Sequence, residues 1–222
     1  MTYKITSYPL APFELGTGLN IIAISSAKFY FNFLASLQDD ESELVISNKD
    51  KIILKSKAIR YIGDLGEVVD LAAMYAKEAV ATVQKFISNE DLERLIKLEN
   101  EASEIIDGVI LNNVLPISLC REFDITRTLK SRKISISTPF FDSGYGKIQG
   151  IVDVIAEMGD SHLAIFTNVH QYLTSAEIDY LAENIRLQEV NVLFVERADY
   201  RFAVPEATIS YYVDDDFIQF PV

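Results

Sequence analysis

The sequence predicts an α/β fold carrying a helical insertion. Three observations lead there. Short apolar strands recur at both ends of the chain, the stretch from Glu67 to Ser88 contains neither Gly nor Pro, and the order strand, helix, strand returns from about Ile134. Largely apolar strands alternating with helices pair in parallel with both faces covered. A length of 222 residues suits one elaborated domain. An α/β head is therefore expected from residues 1–64 and 134–222, and a mostly helical leg from residues 65–133.

Each element has its own signal. Tyr3 to Ser7, Phe13 to Leu15, Leu19 to Ile24, Leu44 to Ser47 and Lys51 to Leu54 read as strands, with Gly16, Gly18 and Asn48-Lys49-Asp50 as breakers. Between them Phe29, Phe33 and Leu37 recur every fourth residue beside Tyr30 and Leu34, which predicts a buried helix over Ala27 to Leu37. Glu67 to Ser88 reads as a long helix. Asn89-Glu90-Asp91 then offers a fresh cap with acids in the first turn, opening a second helix with Leu92, Leu95, Ile96, Ala102, Ile105 and Ile106 that runs to Gly108 or to Asn112-Asn113. The two are expected to form a long antiparallel hairpin. Strand Ile134 to Ser137, a loop with Pro139, Gly144 and Gly146, helix Lys147 to Glu157 and strand His162 to Thr167 follow. Thr174-Ser175-Ala176-Glu177 is a capping box that opens a helix to about Glu189, before strand Val190 to Glu196. Thr208 to Val213 and Phe217 to Phe220 form an edge hairpin around Asp214-Asp215-Asp216.

Composition excludes several classes. An apolar fraction of 49% and a mean hydropathy of +0.15 are incompatible with disorder. No apolar run approaches the roughly 18 residues of a membrane span. The single cysteine, Cys120, cannot form an intrachain disulfide, and the N-terminus lacks the basic-then-apolar layout of a signal peptide, so the cytoplasm is the expected location. A net charge of −13 repels nucleic acid and anionic membrane unless the cations are segregated.

They are segregated. Lys49, Lys51, Lys55, Lys57 and Arg60 are opposed in their window only by Asp50, and Arg121, Arg127, Lys130, Arg132 and Lys133 only by Glu122 and Asp124. These ten are half of the chain's 20 Lys and Arg. Several such cations on one surface would give salt-sensitive, sequence-independent contacts to phosphates. No aromatics of the kind that stack on single strands interleave with them, so double-stranded DNA is the expected target. The same windows read equally as the soluble faces of two hairpin-like segments.

Other chemistry is thin. The junction Ile22-Ala23-Ile24-Ser25-Ser26-Ala27-Lys28 stands where a phosphate-binding loop would, but it lacks the glycines, is too short, and follows Lys28 with Phe29 where Ser or Thr is needed. It reads as a degenerate relative of a phosphate-loop NTPase without a nucleotide site. His162 and His170 have no Cys or Ser at useful spacing, and no triad can be assembled. Glu99, Glu101, Glu104 and Asp107, Glu122 with Asp124, and Asp214 to Asp216 are the acidic candidates for metal; as plain surface each is a solvated face.

Three strings carry a family resemblance: Asp40-Glu41-Ser42-Glu43-Leu44, Leu163-Ala164-Ile165-Phe166-Thr167-Asn168, and Tyr172-Leu173-Thr174-Ser175-Ala176-Glu177 running on to Val192-Leu193-Phe194-Val195-Glu196. On these the chain resembles, end to end, the type II-A CRISPR-associated adaptation proteins of the Csn-two family. The resemblance implies an α/β head related to phosphate-loop NTPases but without their nucleotide site, an inserted helical leg, and a cytoplasmic homotetramer ring. Its positively lined hole would thread double-stranded DNA from free ends without cutting it, in spacer acquisition for antiviral defence, alongside the integrase pair and the guide-RNA nuclease. It also implies bound calcium. Where family members carry a denser acidic run, this chain has Asn112-Asn113 and Cys120-Arg121 and keeps Glu122-Phe123-Asp124, so Glu122 and Asp124 either hold a weakened calcium site or pair with Arg121 and Arg127. The ten cations are the expected channel lining. Two other readings compete: a small NTPase or kinase-like enzyme of the same architecture, and an acidic protein-interaction module.

Overall fold

In a computed structural model, which describes residues 3–49, 51–137 and 141–221, the chain divides into two units: Met1–Val69 with Pro139–Val222, and Asp70–Thr138. Asp50 and Pro139, read above as turn and loop residues, lie outside the described residues. The elements run β1 Tyr3–Thr6, β2 Phe13–Leu15, β3 Gly18–Ile24, α1 Ala27–Gln38, β4 Val45–Asn48, β5 Lys51–Ile53, α2 Lys55–Ala58 and β6 Ile59–Asp64. The second unit holds α3 Leu71–Met74, α4 Ala76–Phe86, α5 Asn89–Asn112 and α6 Ile125–Ser131. The first unit resumes with α7 Gly144–Glu157, β7 Leu163–Thr167, a 3-10 turn Val169–Gln171, α8 Ser175–Leu187, β8 Asn191–Arg197, β9 Ile209–Val213 and β10 Gln219–Pro221.

The organising element of the first unit is β3, buried along all seven residues. It pairs in parallel with β8 on one side and β9 on the other, inside a six-stranded sheet of order β10-β9-β3-β8-β7-β6 in which only the edge strand β10 is antiparallel. Its one polar side chain, Asn20, is fully satisfied: Nδ2 donates to the carbonyls of Gly16, Gly18 and Val192, and Oδ1 accepts from Gly16 N at 2.9 Å. A buried amide with partners at both ends is tolerated where an unpaired one is not.

A four-stranded antiparallel sheet, β2-β1-β4-β5, lies in the same unit. Its inward residues Ile5, Phe13, Leu15 and Ile46 share one core with Phe29, Phe33 and Leu37 of α1 and with Ile22, Leu193 and Val195 of the parallel sheet. Ser26 caps α1 by accepting from Phe29 N, and Phe33 meets Phe13 edge to face at 6.0 Å. The capping box forms as the sequence predicts, with Thr174 accepting from Glu177 N and Glu177 accepting from Thr174 N at 2.7 Å. The β9–β10 turn closes on Asp214, whose Oδ1 accepts from Asp216 N and Ile218 N.

Several expectations are corrected. No strand forms over 134–137, because no neighbouring chain segment among the described residues pairs with it; Ile134 and Ile136 are half-buried without a ladder. The sheet edge is supplied by β6 instead, a strand the sequence hid behind basic residues and a bulge at Gly63, whose φ of +83° suits glycine. Gly144 and Gly146 belong to the first turn of α7, capped by Ser143. The helix expected over Glu67 to Ser88 begins at Leu71 and breaks at Tyr75, and Ser88 caps α5 one residue before Asn89. No tightly packed helical hairpin results: α4 packs on α6, and no residue of α5 is buried.

One helix offers an internal control for the core. Phe33→Ala should cost about 3–5 kcal/mol in urea unfolding, by cavity creation, whereas Phe31→Ala on the exposed face should stay within about 0.5 kcal/mol.

Candidate nucleic-acid interface

Only the start of the window from Lys49 to Arg60 belongs to a hairpin, the antiparallel pair β4–β5; the rest is the one-turn helix α2 and the start of β6. Lys49 in the turn, Lys51 at the head of β5 and Lys57 on α2 are exposed. Lys55 is not. Only 4% exposed, it sends Nζ to the carbonyl of Asp39 at 2.5 Å, the carbonyl of Ser42 at 3.2 Å and Ser42 Oγ at 2.8 Å. Asp39 is the C-cap of α1, so the ammonium sits where the helix dipole is negative. Asp40 accepts from Ser56 N and Oγ at 3.1 and 2.6 Å, completing a clamp between the α1–β4 connection and α2. Lys55 is therefore removed from the DNA-contact set.

Arg60 is corrected too. Its Nε donates to Asp160 Oδ2 at 2.7 Å, with the carboxylate 3% and the guanidinium 21% exposed. The other oxygen of Asp160 contacts His162 Nδ1, so this histidine belongs to a structural cluster.

In the second unit α6 turns Leu129 inward, leaving Arg127 and Lys130 one turn apart on the exposed side. Arg132 is the C-cap and Lys133 follows at φ +52°, both exposed. Arg121 instead donates to Asp107 Oδ2 on α5. Asp124 caps α6 by accepting from Arg127 N at 3.1 Å, and Glu122 is exposed. Neither acid pairs as expected: Arg121 has gone to Asp107, and Asp124 meets the backbone of Arg127. Calcium wants about six to eight oxygens. Among the described residues no group of three or more Asp, Glu, His or Cys comes together that could hold a metal ion, so Glu122 and Asp124 do not fit that role within the chain.

All five parallel strands point their carboxyl ends to one rim, where open α/β sheets bind ligands. The β3–α1 junction there is only Ser25-Ser26, and Ser25 N donates to Val213 O at 2.8 Å, so it is not available to a phosphate. Asn168, in the left-handed region at φ +56°, accepts from Tyr30 OH at 2.9 Å and donates to Asp64 Oδ2. Asp64 Oδ1 also accepts from Tyr172 OH at 2.5 Å and Gly66 N at 2.8 Å. Partial burial works to raise the Asp64 pKa, but the hydrogen bonds from Tyr172, Gly66 and Asn168 and the charge of Lys147 hold it below the usual carboxylate value. Burial, with Glu196 and Tyr61 nearby, pushes the Tyr30 phenol up. Glu196, 1% exposed, accepts from Val169 N and His170 N. His170 stacks on Phe202 at 3.7 Å beside a cavity of about 400 Å³, with Nδ1 3.0 Å from Glu196 but without hydrogen-bond alignment. Apart from the His170 ring, these polar groups engage one another and the backbone.

One further surface is not foreshadowed by any signal in the sequence. Leu98, Ala102, Ile105, Ile106 and Val109 share one stripe of α5, and all are exposed. Their periodicity reads as a core face, yet the chain itself does not bury it. No helix among the described residues is long and apolar enough to cross a membrane.

A family model described as CRISPR-associated protein (Cas_Csn2) matches residues 37–217. None of the curated proteins matches. Among solved structures, the crystal structure of Stu0660 of Streptococcus thermophilus is similar at a TM-score of 0.59 and 12% identity, covering 100% of this chain and 76% of that one. A bacterial Atm1-family ABC exporter with ATP bound reaches a TM-score of 0.42 at 10% identity, over 94% of this chain and 36% of that one, too low to argue from.

Two outcomes are expected. Lys55→Met should lower stability by about 1–3 kcal/mol, by stranding the Asp39 and Ser42 acceptors, while Lys57→Met leaves urea unfolding unchanged. Because the folded-state pKa of Asp64 is depressed, its contribution is complete above the unfolded value of about 3.9 and is lost as pH falls through the folded value. Tyr172→Phe should shift the Asp64 titration upward by carboxyl NMR and bring the acid loss of stability to higher pH.

Proposed function

The chain belongs to the Cas_Csn2 family of CRISPR-associated proteins, and from that membership we propose that it is a non-catalytic, sequence-independent binder of double-stranded DNA ends serving spacer acquisition. The observation that carries this reading is two runs of exposed cations in a chain of net charge −13: Lys49, Lys51 and Lys57 in the first unit, and Arg127, Lys130, Arg132 and Lys133 in the second. Exposed cations elsewhere, Lys28 and Lys97 among them, are scattered among more numerous acids, so backbone phosphate is attracted most at these two places. With Lys55, Arg60 and Arg121 engaged in the fold, the lining is smaller than composition suggests.

A homotetramer ring is part of the proposal. Its support is the apolar stripe of α5, since a helix of 24 residues that buries none of its side chains needs a partner to cover that face. We read the head as a degenerate relative of phosphate-loop NTPases in which the short, engaged Ser25-Ser26 junction has replaced the phosphate cradle. In the cytoplasm such a ring would load at a free DNA end and hold the duplex for the integrase pair and the guide-RNA nuclease.

The test is a gel-shift titration against one duplex sequence as a linear fragment and as a covalently closed circle. Binding to the linear form alone supports a ring loaded from ends, and equal binding to both overturns it. Lys51→Glu with Lys57→Glu, and Arg132→Glu with Lys133→Glu, should weaken binding to all sequences alike and reduce the slope of log K against log salt by about one for each phosphate no longer neutralised. A changed sequence preference with an unchanged slope would count against the mechanism.

A further inference from the structure

The calcium that the resemblance implies meets a donor set of the wrong charge. Asp107, near the end of α5, is the acid through which the connection to α6 is tied back to the helix, and its partner is the guanidinium of Arg121. The connection from Asn113 to Asp124 has no helix or strand of its own. One end is held by Asn113 Nδ2 on Val109 O at 2.8 Å and the other by the Asp124 cap on α6. Between these anchors, Arg121 reaches back to Asp107.

We propose that Arg121 stands in for a divalent cation at this place, so that the second unit holds its α5–α6 connection without calcium. An arginine is a permanent charge with a planar fork matched to a carboxylate. With that charge already on Asp107, a second cation there is repelled, and the neighbouring Glu122 and Asp124 offer too few oxygens to offset it. The tie is covalently attached, so it is insensitive to chelators; being 72% exposed on the arginine side, it is sensitive to salt.

The contrast with calcium rests on the family reading, but the test does not need DNA binding to succeed. Thermal unfolding and solution mass would be measured in millimolar calcium chloride and in EGTA. The wild-type protein should give the same midpoint and mass in both. Arg121→Gln and Asp107→Asn should each lower the midpoint in both buffers, by up to about 2–4 °C, the upper end for an exposed ion pair in a chain of this size. Arg121→Asp, which puts a carboxylate in place of the cation that pairs with Asp107, should be destabilised in EGTA and regain stability with calcium. A wild-type midpoint or mass that rises with calcium overturns the proposal, as does an Arg121→Asp protein that folds but ignores calcium. If Arg121→Asp does not fold, the wild-type comparison and the two milder variants still decide. A gel shift on the same samples separates the questions, since failure to bind linear duplex would sink the DNA reading and leave the calcium result standing.

Discussion

The first unit depends on the parallel pairing of β3 between β8 and β9. Residues 18–24 must find residues 191–197 on one side and 209–213 on the other, so the core closes only when the two ends of the chain meet. Closing such a loop costs entropy that grows slowly with its length, which is why a long intervening segment is tolerable at all. Where it can leave is restricted. β6 is the sheet edge and β7 its parallel neighbour, and parallel neighbours need a crossover in any case. With α7 supplying the covering helix, the 70–138 unit is appended to a connection that already had to exist, and no buried strand is disturbed.

The same parallelism gathers every carboxyl end at one rim, and there the fold has closed on itself. Asp64, Asn168 and Glu196 end adjacent strands, the arrangement from which an α/β enzyme would build a site, yet each is held by a neighbour: Tyr172 and Gly66 on Asp64, Tyr30 on Asn168, the turn amides on Glu196. The strings that carry the family resemblance run into these clamps. Leu163 to Asn168 ends in the left-handed residue that joins Tyr30 to Asp64, Tyr172 opens the string that contains the capping box, and Asp40 to Leu44 holds Lys55 and Ser56. What makes the chain recognisable is largely what keeps its rim and its α1–α2 corner in place.

Legibility in the sequence followed the physics of each signal. Apolar spacing in α1, the alternation of β2 and the capping box of α8 are local, and each was readable to within a residue or two. β6 was not, because Arg60, Tyr61 and the Gly63 bulge interrupt its pattern, and it is a strand only by virtue of β7. The converse error is Ile134 to Ser137, where alternation is present and a partner strand is absent among the described residues. α5 was readable as a helix but not as an uncovered one, since periodicity reports that a face is apolar and is silent on what meets it.

Charge is less local than apolar spacing. Counting cations in a window treats every Lys and Arg as a surface group, but a long aliphatic stem lets the head travel to whatever acceptor the fold provides. Lys55 found two carbonyls and a hydroxyl, Arg60 a nearly buried carboxylate one hundred residues away in sequence, and Arg121 an acid on the preceding helix. None of these partners lies in the basic window itself, so none could be seen by local counting. The other seven cations of the two windows are exposed where the fold turns outward: the β4–β5 turn, the outer side of α2, and α6 with the residues just beyond it. In a chain with 33 acidic residues, a cation that the fold leaves exposed has had many chances to be neutralised. Whether a Lys or Arg stays at the surface is therefore decided by its place in the fold and not by the count in its window.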